Sequence, residues 1–317
     1  MDTKLLTIRT LVSTLTSPSD QTRLASLRHL HRISNQDPTA RPLISAAGAI
    51  PLLAEALYSL SHPIQEHAAA TLLNLSISDR QPLISSPTLL DALSHVLSRH
   101  ASTSSPAAVQ SSAATLHSLL AVVAEYRPVV GAKHNILRAL VDIIGGPNSP
   151  TRSVKDALKA SFAVALHPPN RTDLIRFGAV PAIFNLMAKD KKRKSGIVED
   201  ATAVIAQIAG CEESEVAFRN VLGIPVLLGL LCLDHEKCSL RTKENTVSGL
   251  LNLVRYGGES VIGEVRERVE ALDWIVYVQE HGSAKGKSKA VALLKILLDG
   301  GSNDKIVEDL YPVESNL

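Results

Sequence analysis

The chain is 317 residues long, enough for two ordinary domains or one elongated one, and enough to bury a large apolar core. Hydrophobic residues make up 45% of it but aromatics only 3%, so the core is Leu, Ile, Val and Ala, which suits packed helices and disfavours a sandwich or barrel of strands. A net charge of +2 excludes a dominant electrostatic attraction to nucleic acid or to a membrane.

The N-terminal stretch MDTKLLTIRTLVSTLTS has helical apolar spacing, but Asp2, Lys4 and Arg9 interrupt it, so it is not a signal peptide. Residues 1–35 supply two helices and read as an N-terminal partial, capping repeat. A short helix is expected over 38–46, ending at Gly48, then a second over 50–60 and a long third over 64–76. The third carries IQEHAAATLLNLS: Ala68, Ala69 and Ala70 suit a close approach between neighbouring helices, and Leu72 and Leu75, three apart, face the core together.

The same cycle then returns along the chain. LHRIS (30–34), LLNLS (72–76), LHSLL (116–120), FAVAL (162–166), IAQIA (205–209), LLNLV (250–254) and LKILL (294–298, shifted by one) form a column. Its apolar members Ile33, Leu75, Leu119, Ala165, Ile208, Leu253 and Ile296 are separated by 42, 44, 46, 43, 45 and 43 residues. A period of about 40–47 residues is the mark of a helical solenoid of the armadillo or HEAT type.

GAIPLL (48–53), GAVPAI (178–183) and GIPVLL (223–228) each set Gly at a helix end and Pro in the next helix's first turn. Each unit therefore holds three helices. HASTSSP (100–106) and KDKKRKSG (189–196) fall between second and third helices, and GGPNS (145–149) and YGGES (256–260) are inter-helix turns. The reading is an all-α, right-handed armadillo-repeat superhelical solenoid of about six three-helix repeats after the N-terminal partial one. Its units run approximately 36–77, 78–121, 122–166, 167–210, 211–255 and 256–300, and 301–317 is a flexible polar tail.

The stretches IQEHAAATLLNLSISDRQPLI and AAGAIPLL, with VEDATAVIAQIAG (198–210) and RTKENTVSGLLNLVRYGG (241–258), resemble the armadillo (ARM) regions of plant U-box ubiquitin ligases over about residues 20–298. In that family a separate U-box recruits the ubiquitin-conjugating enzyme, and the armadillo region grips a substrate or regulator. The first helix begins within a few residues of Met1, leaving no stretch for a U-box of roughly 70 residues. The resemblance is therefore to a chain lacking the U-box, and the expectation is a non-catalytic scaffold in plant signalling or ubiquitin-linked regulation. The alternative is the substrate-receptor part of a U-box-type ligase, promoting protein ubiquitination.

The concave groove along the third helices is the expected ligand surface. At the Asn74 position the column reads Arg32, Asn74, Ser118, Val164, Gln207, Asn252 and Lys295; one turn earlier it reads Arg28, Ala70, Ala114, Ala160, Ala203, Ser248 and Val291. Importin-α-like proteins carry Trp and Asn ladders at these places. The Trp ladder is missing here, and the single Trp274 belongs to a second helix, so nuclear-import adaptor function is not expected. Two turns before the Asn74 position the column reads Leu24, Glu66, Gln110, Asp156, Glu199, Glu244 and Lys287, and its carboxylates Glu66, Asp156, Glu199 and Glu244 form a stripe suited to a basic extended or helical segment of a partner protein. They serve equally as first-turn acids favoured by the helix dipole. Asn74 and Asn252 are suited to a ligand backbone, or to bonding a neighbouring segment.

Lys189, Lys191, Lys192, Arg193 and Lys194 form a basic run that reads as a nuclear-localisation signal or as a solvated insertion. Cys211, Cys232 and Cys238 make neither a disulfide framework nor a zinc site. The eleven His residues show no metal-binding spacing, and no nucleophile has an identifiable base. The sequon at Asn170 is not expected to be glycosylated. No cofactor, small-molecule substrate, nucleic-acid partner or transmembrane segment is expected, and the chain is expected to be a monomer, cytoplasmic or nuclear or both.

Overall fold

The computed structural model describes residues 2–189, 196–233 and 238–298, which are helical with no strand among them. The chain divides into two compact units, Met1–Ile208 and Ala209–Leu317.

The first unit opens with α1 (Asp2–Ser13) and α2 (Asp20–Gln36), joined through a 3-10 turn. Three-helix repeats follow: α3 (Arg41–Ala46), α4 (Ala49–Ala56) and α5 (His62–Ser78); α6 (Arg80–Ile84), α7 (Leu89–Ser98) and α8 (Pro106–Val122). Next come α9 (Tyr126–Gly131), α10 (His134–Gly145) and α11 (Thr151–Ala165), then α12 (Pro169–Arg176), α13 (Ala179–Lys189) and α14 (Ile197–Ile208). The second unit holds α15 (Ser214–Arg219), α16 (Gly223–Leu231), α17 (Leu240–Arg266), α18 (Val269–His281) and α19 (Ala284–Leu298). The short, medium and long order matches the expected cycle. At YGGES the expected turn is a single kinked residue: Gly258 (φ 57°, ψ −147°) joins two helical stretches of α17 with no loop.

Local chemistry sets where the long helices begin. Ser19, Ser105 and Ser239 precede α2, α8 and α17, and each side chain accepts from an amide of the first turn. Pro63 and Pro106 occupy first-turn positions where no amide hydrogen bond is lost. Along α5, Ile64, Ala68, Ala69, Leu72 and Leu75 are buried. Removing a Leu such as Leu75 from this core would cost about 2–5 kcal/mol. Ala70, grouped with Ala68 and Ala69 in the sequence, is instead half-exposed, because successive helical residues point about 100° apart.

A repeated arginine closes the other end of three long helices, α2, α8 and α11. Arg41 Nε donates to the Ser34 carbonyl (2.8 Å), Arg127 Nε to Leu120 (3.1 Å) and Arg171 Nε to Ala165 (2.9 Å). These carbonyls lie where the intrahelical pattern runs out, and a charged donor is worth about 1.5–3 kcal/mol to such a group. Asn170 is also buried, and its amide donates to the Arg127 and Val164 carbonyls. Gly131 in α9 leaves the room: a Cβ there would lie 2.0 Å from Asn170 Oδ1.

The Gly-Pro landmarks divide into two kinds. Gly48 (φ 80°) and Gly178 (φ 88°) take the expected left-handed conformation. In GIPVLL the glycine stands one residue closer to the proline, so Gly223 begins α16 and the left-handed position falls on Leu222 (φ 53°). That conformation costs a side-chain-bearing residue about 1–2 kcal/mol, and Leu222 is 70% exposed, so burial does not offset it. Leu222→Gly is expected to raise stability by roughly 0.5–1 kcal/mol, part of the relief being lost to the freer unfolded glycine chain. Gly48→Leu should lower it by about 1–2 kcal/mol. Urea titrations of both variants check the pair, and an unchanged or lowered midpoint for Leu222→Gly would contradict the strain.

Candidate protein-binding face

In the first unit the long helices α2, α5, α8, α11 and α14 pack side by side in that order. Each turns one row of side chains to solvent. The expected column through Glu66, Gln110, Asp156 and Glu199 lies half-exposed on these helices. At one step its members touch: Gln110 Nε2 donates to Asp156 Oδ2 at 2.7 Å, 46 residues apart. The row is not uniformly acidic. Lys155 and Lys159 share the half-exposed face of α11 with Asp156, and Lys155 Nζ stands 4.0 Å from Asp200.

Two of the singled-out carboxylates, Glu66 and Glu244, bond the start of the next long helix. Glu66 accepts from Ser105 Oγ, whose oxygen in turn accepts from the Ala107 amide at the start of α8 (3.2 Å). In the second unit Glu244 accepts from the backbone amide and hydroxyl of Ser283, and Ser283 Oγ accepts from the Gly286 amide (3.2 Å) in the first turn of α19. Each glutamate thus reaches 39 residues ahead and fixes the serine that starts the next long helix. The positive end of that helix favours the carboxylate as well. Gly286 makes room, since a Cβ there would lie 2.8 Å from the Glu244 carboxyl.

Asn74 is 9% exposed, and its amide donates to Ser34 Oγ (3.0 Å), so of its two sequence readings the bond to a neighbouring segment is the one observed. Ser118 at the equivalent position of α8 donates to the Ser76 carbonyl (2.9 Å). Asn252 lies half-exposed on α17. Lys189 ends α13, while Lys191, Lys192, Arg193 and Lys194, together with the 301–317 tail, lie outside the described residues.

Sequence reasoning missed a buried column one residue before the acids. Gln65 donates to the Leu57 carbonyl (3.0 Å) and accepts from the Ser105 amide (3.2 Å). Its counterpart Lys243 is fully buried, donates to the Leu231 and Leu233 carbonyls, and sets its ammonium 3.5 Å from the Trp274 ring centroid. Both close the C-terminal end of a second helix, and the cation also gains from the indole face. A polar residue amid apolar ones at this register was the available signal.

His31 on α2 and His67 on α5 meet with their Nδ1 atoms 3.0 Å apart, one necessarily donor and the other acceptor. Burial pulls the pKa of both below the ordinary histidine value, and His67 is lowered further by His31 and Arg28. His95 is lowered by burial and by Arg99, and His117 by burial and by Lys159. Among the described residues, no group of three or more His, Cys, Asp or Glu side chains is placed to hold a metal ion, and no helix is long and apolar enough to cross a membrane.

The family described as plant U-box protein ARM repeat region matches residues 7–311. U-box domain-containing protein 18 of Arabidopsis thaliana is 23% identical over 289 residues, covering 90% of this chain and 40% of that protein. U-box domain-containing protein 16 of the same plant is 27% identical over 282 residues, covering 87% and 39%. The chain thus spans about two-fifths of the length of these curated relatives. Among solved structures, an engineered protein superposes with a TM-score of 0.77 at 19% identity, covering 93% of this chain and 68% of that one. A designed armadillo repeat protein superposes at 0.50 with 20% identity, covering 92% and 99%. The fold is the all-α armadillo solenoid.

The four lowered histidines give the first unit a direction of pH dependence. An unfolded chain takes up their protons near the ordinary value of 6.5, whereas the folded chain resists until lower pH. Their contribution is therefore complete above pH 6.5 and is lost as the pH falls below it. Asp37, held down to about 2 by Lys4 and Thr39, works in a separate and more acidic window. The melting temperature should fall between about pH 7.5 and about pH 5, and fall less in the His31→Asn/His67→Gln variant. Circular dichroism melts at the two pH values measure this, and equal drops in both proteins would refute it.

Proposed function

Because the chain belongs to the plant U-box protein ARM repeat region family, we propose that it is a non-catalytic scaffold that holds a segment of a partner protein along the exposed row of its long helices. The supporting observation is the lateral alignment of those helices, at which Gln110 and Asp156, 46 residues apart in sequence, come into hydrogen-bond contact. Such a row presents side chains at fixed intervals on pre-ordered helices, so little receptor entropy is lost on binding. Asp156 and Glu199 in the first unit, and Asn252 taken by itself in the second, remain the contacts this reading favours. Glu66, Asn74 and Glu244 contribute as well and, like Asp156, are already bonded between repeats.

Those bonds decide how the reading is tested. Reversing Glu66 or Glu244 would loosen a helix start as well as remove a charge. Ala70, Ala114 and Ala203 are half-exposed, unbonded through their side chains and replaceable by Gln at little cost to the helix. The chain with Ala70→Gln, Ala114→Gln and Ala203→Gln should stay folded and lose at least about tenfold in affinity for partners that the unmodified chain retains from plant extract, a loss of about 1.4 kcal/mol. Unchanged retention by a folded variant would overturn the binding face.

A second reading is favoured by the relatives being U-box domain-containing proteins: the chain is the part of a ubiquitin ligase that holds the protein to be modified. On that reading the chain alone yields no ubiquitin ladder with activating and conjugating enzymes, and its retained partners are ubiquitinated when a U-box is fused to it. Ladder formation by the chain alone would contradict the non-catalytic assignment.

A further inference from the structure

The exposed row changes character at its α2 end. At two successive turns of that row, α2 carries Arg28 and Arg32, both exposed, where α5 carries Ala70 and Asn74 and α8 carries Ala114 and Ser118. Arg28 makes no ion pair or hydrogen bond among the described residues, and Arg32 bonds His29, a group without negative charge. Asp20 and Asp37 are paired with Arg23 and Lys4, and the Glu66 carboxylate is held by the Ser105 hydroxyl at the start of α8. The helix dipole favours a cation only within the last turn, which leaves Arg28, more than two turns before Gln36, without that explanation. The His31–His67 contact beside them ties α2 to α5, so both arginines project from a fixed seam.

We propose that this end of the face receives an acidic segment of a partner protein, with Arg28 and Arg32 pairing with two or more closely spaced Asp or Glu carboxylates. The inference rests on the reading of the long-helix row as the binding face and adds the charge and the direction of what lies there. Two guanidinium groups one helical turn apart match carboxylates two or more residues apart, and planar forks bind them in a bidentate manner that lysine cannot copy. Small neutral side chains on α5 and α8 leave the continuing segment free of charge requirements, while Lys155, Asp156 and Lys159 on α11 present both signs further along. The acidic end of the bound segment is thereby assigned to α2.

The test uses the full chain and a fluorescein-labelled peptide of neutral Gly and Ser residues ending in a Glu-Asp cluster, read by anisotropy. A peptide with Lys in place of the cluster is the counterpart. The expected result is binding of the acidic peptide only, weakening as salt is raised from about 0.05 to about 0.3 M. Arg28→Gln/Arg32→Gln should weaken it at least about tenfold, whereas Arg99→Gln/Arg152→Gln, the same change of net charge at exposed sites off this end, should leave it within about twofold. No binding of the acidic peptide, or an equal loss in both double variants, would overturn the proposal, because net charge alone would then be responsible. If the chain substituted at Ala70, Ala114 and Ala203 loses its partners while the acidic peptide never binds, the binding face stands and this inference alone fails. Arg28→Lys/Arg32→Lys separates forked pairing from simple charge: affinity fully kept by lysine would refute the bidentate assignment.

Discussion

An α-helix leaves its first amides and its last carbonyls without internal partners, and a chain of short helices meets that difficulty at every repeat. Here each repeat relies on its neighbours. Glu66 and Gln65 of α5 reach forward to Ser105 at the start of α8, and Glu244 reaches from α17 to Ser283 at the start of α19. Arg41, Arg127 and Arg171 reach back to the carbonyls that end the preceding long helix. The repeats therefore do more than bury apolar faces against one another. Their polar ends are mutually completed, which fixes the spacing and rotation of the long helices and thus the intervals along the exposed row.

This dependence bears on how the exposed row is read. A carboxylate in a helix's first turns can serve a ligand, a helix end, or a neighbouring helix, and Glu66 and Glu244 serve neighbours. Asn74 likewise bonds Ser34, while Ser118 bonds the Ser76 carbonyl, so this register forms part of the seam between repeats. The side chains exposed or half-exposed beside the seams are small residues such as Ala70 and Ala114, the mixed charges of α11, and the arginines of α2. On the proposed reading, such a surface would select by the pattern of charge along a segment, with rigidity supplied from underneath.

The second unit shows what the cycle tolerates. Gly223 stands one place off the usual register, and the left-handed position of the turn falls on the exposed Leu222 instead of on a glycine. Gly258 makes the opposite choice, taking a backbone conformation open to glycine alone and so allowing two helical stretches to meet without a loop. Lys243 replaces the glutamine seen at the same register in α5, and its buried ammonium is held by two carbonyls and the face of Trp274.

By itself the sequence determined the helical class, the period, the three-helix unit, the long helices' core residues such as Leu72 and Leu75, and the left-handed turns at Gly48 and Gly178. These follow from apolar spacing, capping residues and the steric rules of Gly and Pro, all of which act within a few residues along the chain. The column of equivalent positions was legible too, and the Gln110–Asp156 contact is its direct expression. Only the tertiary structure decided which column members are occupied: Glu66 with Ser105, Asn74 with Ser34, His31 with His67, Lys243 under Trp274. Each of those pairings spans 31 to 40 residues, and it depends on the distance and rotation between two packed helices. Periodicity places both partners on adjoining faces, but a hydrogen bond demands agreement to within a few tenths of an ångström, which packing alone supplies.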